Sequence, residues 1–178
     1  MKFWNIFYLI IILASCFSCT NRSPNNGLVL YTDTLNRLSH YYPENWDTTN
    51  TNSSFIFSAI EAKKSSSDNF CEIVTVTKAI FHEHLDTLNY LKSLNEKLRN
   101  KYKQEKDFKS QIKQNQKGLM YLYFTRTISF QDLLINSTSA CFVRENNFFV
   151  INFSNSYVVN KNYKRICEEI IQSFYFLE

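Results

Sequence analysis

Six positions near the C-terminus restrict the fold most. Tyr163, Ile166, Cys167, Ile170, Ile171 and Phe174 recur at steps of three and four, which draws one continuous apolar stripe along a helix. Asn160 or Asn162 would cap it. A second helical period starts after Asp86, itself a candidate N-cap, with Leu88, Leu91, Leu94, Leu98 and Tyr102, and should end near Gln104. The rest of the chain reads as strands. "LNRLSHYYP" (35–43) stops at Pro43, where Glu44, Asn45 and Trp46 turn the chain; "SFIFSAIEA" (54–62) and "FCEIVTVTKAIF" (70–81) follow. After the first helix come "FKSQIKQNQ", then past Gly118 "LMYLYFTRTIS", "LLINSTSACFV" and "NFFVINFSNS". Arg144-Glu145-Asn146-Asn147 is hairpin chemistry, since asparagine accepts the left-handed conformations such turns require. Strands, helix, strands and a closing helix define the α+β class. The expectation is a largely antiparallel sheet of about six or seven strands, with a central helix and a C-terminal helix packed on it.

The first residues follow a different logic. Met1 and Lys2 give a positive start, an apolar run extends from Phe3 to Leu13 broken only by Asn5, and small Ala14 and Ser15 precede Cys16. That is the organisation of an export signal. The run is shorter than the ~20 residues that span a bilayer. Leu13-Ala14-Ser15-Cys16 resembles the lipobox of bacterial lipoproteins, which implies cleavage before Cys16 and diacylglycerol on its thiol. Cys19 fits worse, because Phe17 stands where a small residue is needed. More than one acyl chain makes such an anchor stable, at ~0.8 kcal/mol per buried methylene. The domain expectations are therefore a signal peptide over 1–15, an anchor and flexible tether over 16–34, and one folded domain over 35–178. Leu28 to Tyr31 could already be a short strand within the tether. Phe17 is not the aspartate that, by resemblance to diderm lipoproteins, retains many at the inner membrane. The expected location is the cell envelope, at the outer membrane facing the periplasm.

"SHYYPENW", a mid-chain helix with basic residues, "QNQKGLMYLYF" and the terminal "IIQSFYF" together resemble the Mog1/PsbP-like fold, which includes PsbP-related and DcrB-type lipoproteins. The resemblance spans about 35–178. It implies a binding or accessory role and carries over no catalytic residues.

The chemistry is sparse. With 2 glycines, neither a nucleophile elbow nor a Gly-rich phosphate loop is available. The sequence nominates no carboxylate pair and holds no nucleophile-elbow pattern, so the chain reads as non-enzymatic. "FHEHLD" is the sharpest cluster: in extended chain His82 and His84 share a side, with Asp86 as an oxygen donor. That set suits a divalent zinc, copper or nickel ion, against the plainer reading of a solvated strand end whose Asp86 caps the helix. Residues 92–117 hold nine Lys/Arg and three Asp/Glu. Lys97, Arg99, Lys101 and Lys103 form a candidate basic surface for anionic head groups or an acidic partner, or simply a solvated face. No nucleic-acid motif is present. Cys71, Cys141 and Cys167 are expected as buried free thiols, although export would permit a Cys71–Cys141 bridge.

Two functions fit. One is a membrane-anchored, non-catalytic binding or accessory module that docks on an envelope protein partner, with the covalent lipid as its sole prosthetic group. The alternative is a periplasmic carrier or sensor of a small ligand or divalent metal.

Overall fold

The computed structural model describes residues 27–48, 55–62, 71–80, 86–130, 133–156 and 161–178. Ten strands and two helices occur among them: β1 (Leu28–Asp33), β2 (Leu38–Pro43), β3 (Trp46–Thr48), β4 (Phe57–Glu61), β5 (Ile73–Ile80), α1 (Thr87–Lys101), β6 (Lys109–Gln114), β7 (Met120–Phe130), β8 (Leu133–Arg144), β9 (Asn147–Ser156), α2 (Lys161–Ser173) and β10 (Tyr175–Phe176). Seven strands form one antiparallel sheet in the order β3-β4-β5-β9-β8-β7-β6, and β1-β2-β10 form a second, three-stranded sheet. The fold is α+β, as the sequence predicts.

Alternation along the strands decides what lies on each face of the large sheet. Val74, Val76, Ala140, Phe142, Phe149, Ile151 and Phe153 point to one side, where they meet Leu38 of β2 and Cys167, Ile170 and Ile171 of α2. Their neighbours Leu122, Cys141, Val143 and Val150 point to the other, where Leu91, Leu94 and Leu98 of α1 cover them. The two helices therefore sit on opposite faces. α2 is also fixed to the small sheet, since the Tyr41 N–H donates to Ser173 Oγ at 2.9 Å.

Six local details differ from the expectations. β1 pairs along its whole length with β2, so the folded body begins by Leu28 and not at Leu35; the short strand read at Leu28 to Tyr31 belongs to the domain. Trp46 opens a strand instead of a turn because its ring stacks on Phe153 at 5.9 Å. α1 is capped by Asp86, whose Oδ1 accepts the Asn89 N–H at 2.8 Å, but it stops at Lys101. There the Tyr102 ring turns onto Phe108, at 5.2 Å, and closes the helix short of Gln104. Past α2 the chain straightens into β10, whose Tyr175 and Phe176 pair with Ser39 and Leu38. The β8–β9 hairpin forms as expected, yet the left-handed residue is Glu145 (φ 55°) and not an asparagine. Asn162 lies inside α2 and is not its cap, while Asn160 falls outside the described residues.

Candidate functional site: a polar cleft beside the C-terminal helix

The face beneath α2 changes character along each strand. On β7 it runs from Tyr121 through Tyr123 to Thr125 and Thr127; on β8 from Phe142 through Ala140 to Thr138 and Asn136; on β9 from Phe149 through Ile151 and Phe153 to Asn155. At the apolar end the packing is closed. Phe174 is fully buried there, with ring centroids of Phe142 at 4.4 Å, Phe176 at 5.2 Å and Phe149 at 6.4 Å. At the polar end α2 and the sheet part to leave a cleft of about 740 Å³, lined by β6, β7, β8 and the first turns of α2. That volume lies within the range of small-ligand sites.

Three neutral groups make the inner wall. They are the Thr138 hydroxyl, the Tyr123 phenol and the Cys167 thiol, which line it together. Burial pushes Tyr123 up to about 12, with the nearby Cys167 adding to the shift, and it pushes the Cys167 thiol up to about 12 as well. Gln111, Thr125, Asn136 and Asn155 add amides and hydroxyls. The charged side chains stand at the rim, Lys109, Lys113 and Lys164 against Asp107 and Glu168. Lys113 Nζ lies 4.2 Å from the Tyr123 ring centroid, a cation–π contact that holds the ring as one wall.

Tyr163 closes the end of the cleft. Its hydroxyl donates to Glu61 Oε2 at 2.5 Å, and Glu61 hydrogen-bonds the buried Glu72 carboxyl. Burial raises the Glu72 carboxyl, and the bond from Glu61 raises it further. The two residues face one side because β4 and β5 run antiparallel there, with the Glu61 N–H donating to Glu72 O at 2.8 Å. The Tyr163–Glu61 hydrogen bond ties the first turn of α2 to the end of β4. Sequence reasoning missed the pair. A carboxylate inside the β-branched run "FCEIVTVTKAIF" was the available signal, since a charge there needs a partner.

The arrangement is suited to holding a ligand and poorly suited to attacking one. A thiol pushed up to about 12 stays protonated at neutral pH, so Cys167 offers no thiolate. His40, the histidine among the described residues, sits at the closed end between Tyr31, Phe57 and Phe174. Its Nδ1 donates to Tyr41 O at 3.0 Å, its Nε2 has no partner, and burial pulls it down to about 4.

The residues singled out from sequence are spread out. Cys16, Cys19, His82 and His84 lie outside the described residues. Asp86 accepts a helix N–H, and among the described residues no group of three or more His, Cys, Asp or Glu is placed to hold a metal. Lys97 and Lys103 are exposed; Lys101 lies over its neighbour Tyr102, with Nζ 5.1 Å from the ring centroid. Arg99 faces β6, donating from Nε to Ser110 Oγ at 3.2 Å and from a terminal nitrogen to Ser110 O at 3.0 Å. At about 100° per residue, Lys97 and Arg99 stand on different sides of α1. Cys71, Cys141 and Cys167 are free thiols; Cys141 is buried beneath α1 and Cys167 beside the cleft, whereas Cys71 lies just ahead of β5 and is half-buried, not buried as expected. Among the described residues no helix is long and apolar enough to cross a membrane.

No protein family and no curated protein matches the sequence. Solved structures do match the fold. Cyanobacterial PsbP (CyanoP) from Synechocystis sp. PCC 6803 superposes with a TM-score of 0.59 at 9% identity, covering 90% of this chain and 99% of its own. LpqN, involved in cell envelope biogenesis of Mycobacterium tuberculosis, gives 0.56 at 9% identity, with 88% of each chain covered. A protein of Bacteroides thetaiotaomicron VPI-5482 gives 0.55 at 11% identity over 84% of this chain, which spans 48% of that one's length. At these identities the likeness is one of fold, and the fold is PsbP-like.

Proposed function

We propose that this chain is a lipid-anchored protein of the bacterial cell envelope whose folded domain is a non-catalytic binding module. In this reading residues 1–15 are removed, Cys16 carries the lipid, and the residues before Leu28 tether the domain to the outer membrane on its periplasmic side. The observation that carries the binding role is the cleft beside α2: its volume suits a ligand, its inner wall is made of neutral hydrogen-bonding groups, and its thiol is protonated. LpqN, which shares the fold, is involved in cell envelope biogenesis, and that favours the same setting. An accessory subunit would insert a segment of its protein partner into the cleft, whereas a carrier would hold a small molecule there.

A photocrosslinking residue in place of Gln111, on the cleft wall, tests this in living cells. Capture of one protein makes the chain an accessory subunit, and capture of a small molecule makes it a carrier. If neither is captured beyond a control placed at exposed Asn146, the cleft is not the binding place. The intact mass of the membrane-extracted chain tests the anchor: residues 1–15 absent and diacylglycerol present on Cys16.

A further inference from the structure

The positive charge of this chain is concentrated in one segment. The whole chain carries +4, while residues 92–117 alone carry an excess of six, so everything else is net negative. The fold turns that segment into one border of the molecule. It comprises the end of α1, the turn after it, the edge strand β6 and the turn into β7. Among the described residues none of its lysines or arginines is ion-paired; the pair recorded there is Arg165–Glu169 in α2. Aromatic rings line the same border. Lys113 lies over Tyr123 and Lys117 over Tyr175, at 4.2 and 5.4 Å from the ring centroids. Arg99 shields the free strand edge by hydrogen-bonding Ser110 O, and lysines along an edge discourage pairing with another strand.

We infer that this border, with Lys103, Lys106, Lys109, Lys113 and Lys117 at its centre, rests on the anionic phospholipid head groups of the membrane that carries the anchor. The inference builds on the lipoprotein reading above. Ammonium groups without a carboxylate partner gain most from a surface of opposite sign. A bilayer is favoured over an acidic protein because a tether of residues 17–27 reaches at most about 40 Å, which keeps the domain beside its membrane. In this orientation the Lys109–Lys113 side of the cleft stands at the head-group level.

Lysine acetylation read by mass spectrometry tests it. The full chain, acylated or carrying Cys16→Ala, is mixed with vesicles of phosphatidylcholine alone or with added phosphatidylglycerol. The border lysines should react several-fold more slowly on the anionic vesicles at low salt. High salt should abolish the difference, and Lys106→Glu/Lys109→Glu should remove it. Lys78 on β5, four strands away in the sheet, should react alike on both. Equal rates for the border lysines on both vesicles, in both forms of the chain, overturn the inference even if the acylated chain stays bound. Protection by soluble dextran sulfate with none on anionic vesicles overturns it in favour of a polymeric anion. Equal partition of the acylated and Cys16→Ala chains contradicts the anchor reading alone.

Discussion

The two ends of the face beneath α2 are built from the same strands and the same helix, yet one is shut and the other open. Phe142, Phe149, Phe174 and Phe176 fill the shut end, while Thr125, Thr138, Asn136 and Asn155 line the open one. The difference lies in what each strand carries at successive inward positions, since the backbone pairing continues unbroken along β7, β8 and β9. Aromatic side chains bury large areas and pull the helix onto the sheet. Hydroxyls and amides of smaller size gain little by burial, so the helix stands off and solvent enters. A shut end anchors the helix, and an open end is then free to take a ligand at small cost to stability.

The largest test breaks the shut end. Phe174→Ala should cost about 4 kcal/mol in urea denaturation, through lost transfer energy and the cavity left among three other rings. Acid should loosen the same region by way of His40. Burial holds its imidazole at about 4 when folded, against 6.5 when free. Above 6.5 both states are neutral and its contribution is complete. As pH falls from there towards 4 the unfolded chain takes the proton first, and stability should drop by about 3 kcal/mol, a fall that His40→Leu removes from the pH–stability curve. Asn115 ties the β6–β7 turn to the end of α2: its Nδ2 donates to Phe174 O at 2.7 Å, and its Oδ1 accepts from the N–H groups of Lys117 and Leu119 at 3.0 Å each. Asn115→Ala should therefore cost about 2–3 kcal/mol by leaving buried groups unpaired, measurable by the same denaturation. Thr138→Val, at the open end, should change stability least, by about 1 kcal/mol, because the hydroxyl it removes faces a cleft that water reaches.

The sequence discloses some of this and hides the rest for identifiable reasons. The stripe from Tyr163 to Phe174 announces α2 because burial on one side imposes a period of 3.6, and Asp86 announces the start of α1 through its capping chemistry. β10 is invisible, since Tyr175 and Phe176 alone carry no period and become a strand only where β2 offers a free edge. Trp46 reads as part of a turn until Phe153, more than a hundred positions away, supplies its stacking partner. The cleft is harder still. Tyr123, Thr138 and Cys167 come from two strands and a helix, and Cys167 reads from the sequence only as one more residue of an apolar stripe. The Glu61–Glu72 pair forms across neighbouring strands, so its proximity depends on the β4–β5 register.

The account turns on the open end being where this protein binds, and native mass spectrometry of the chain extracted from its own membrane tests that most directly. The wild-type chain should carry a bound molecule or partner beyond its covalent lipid, and Thr138→Val should lose it while remaining folded. An empty wild-type chain, or a bound species equally retained by Thr138→Val and by Asn136→Ala, would contradict the assignment of the cleft.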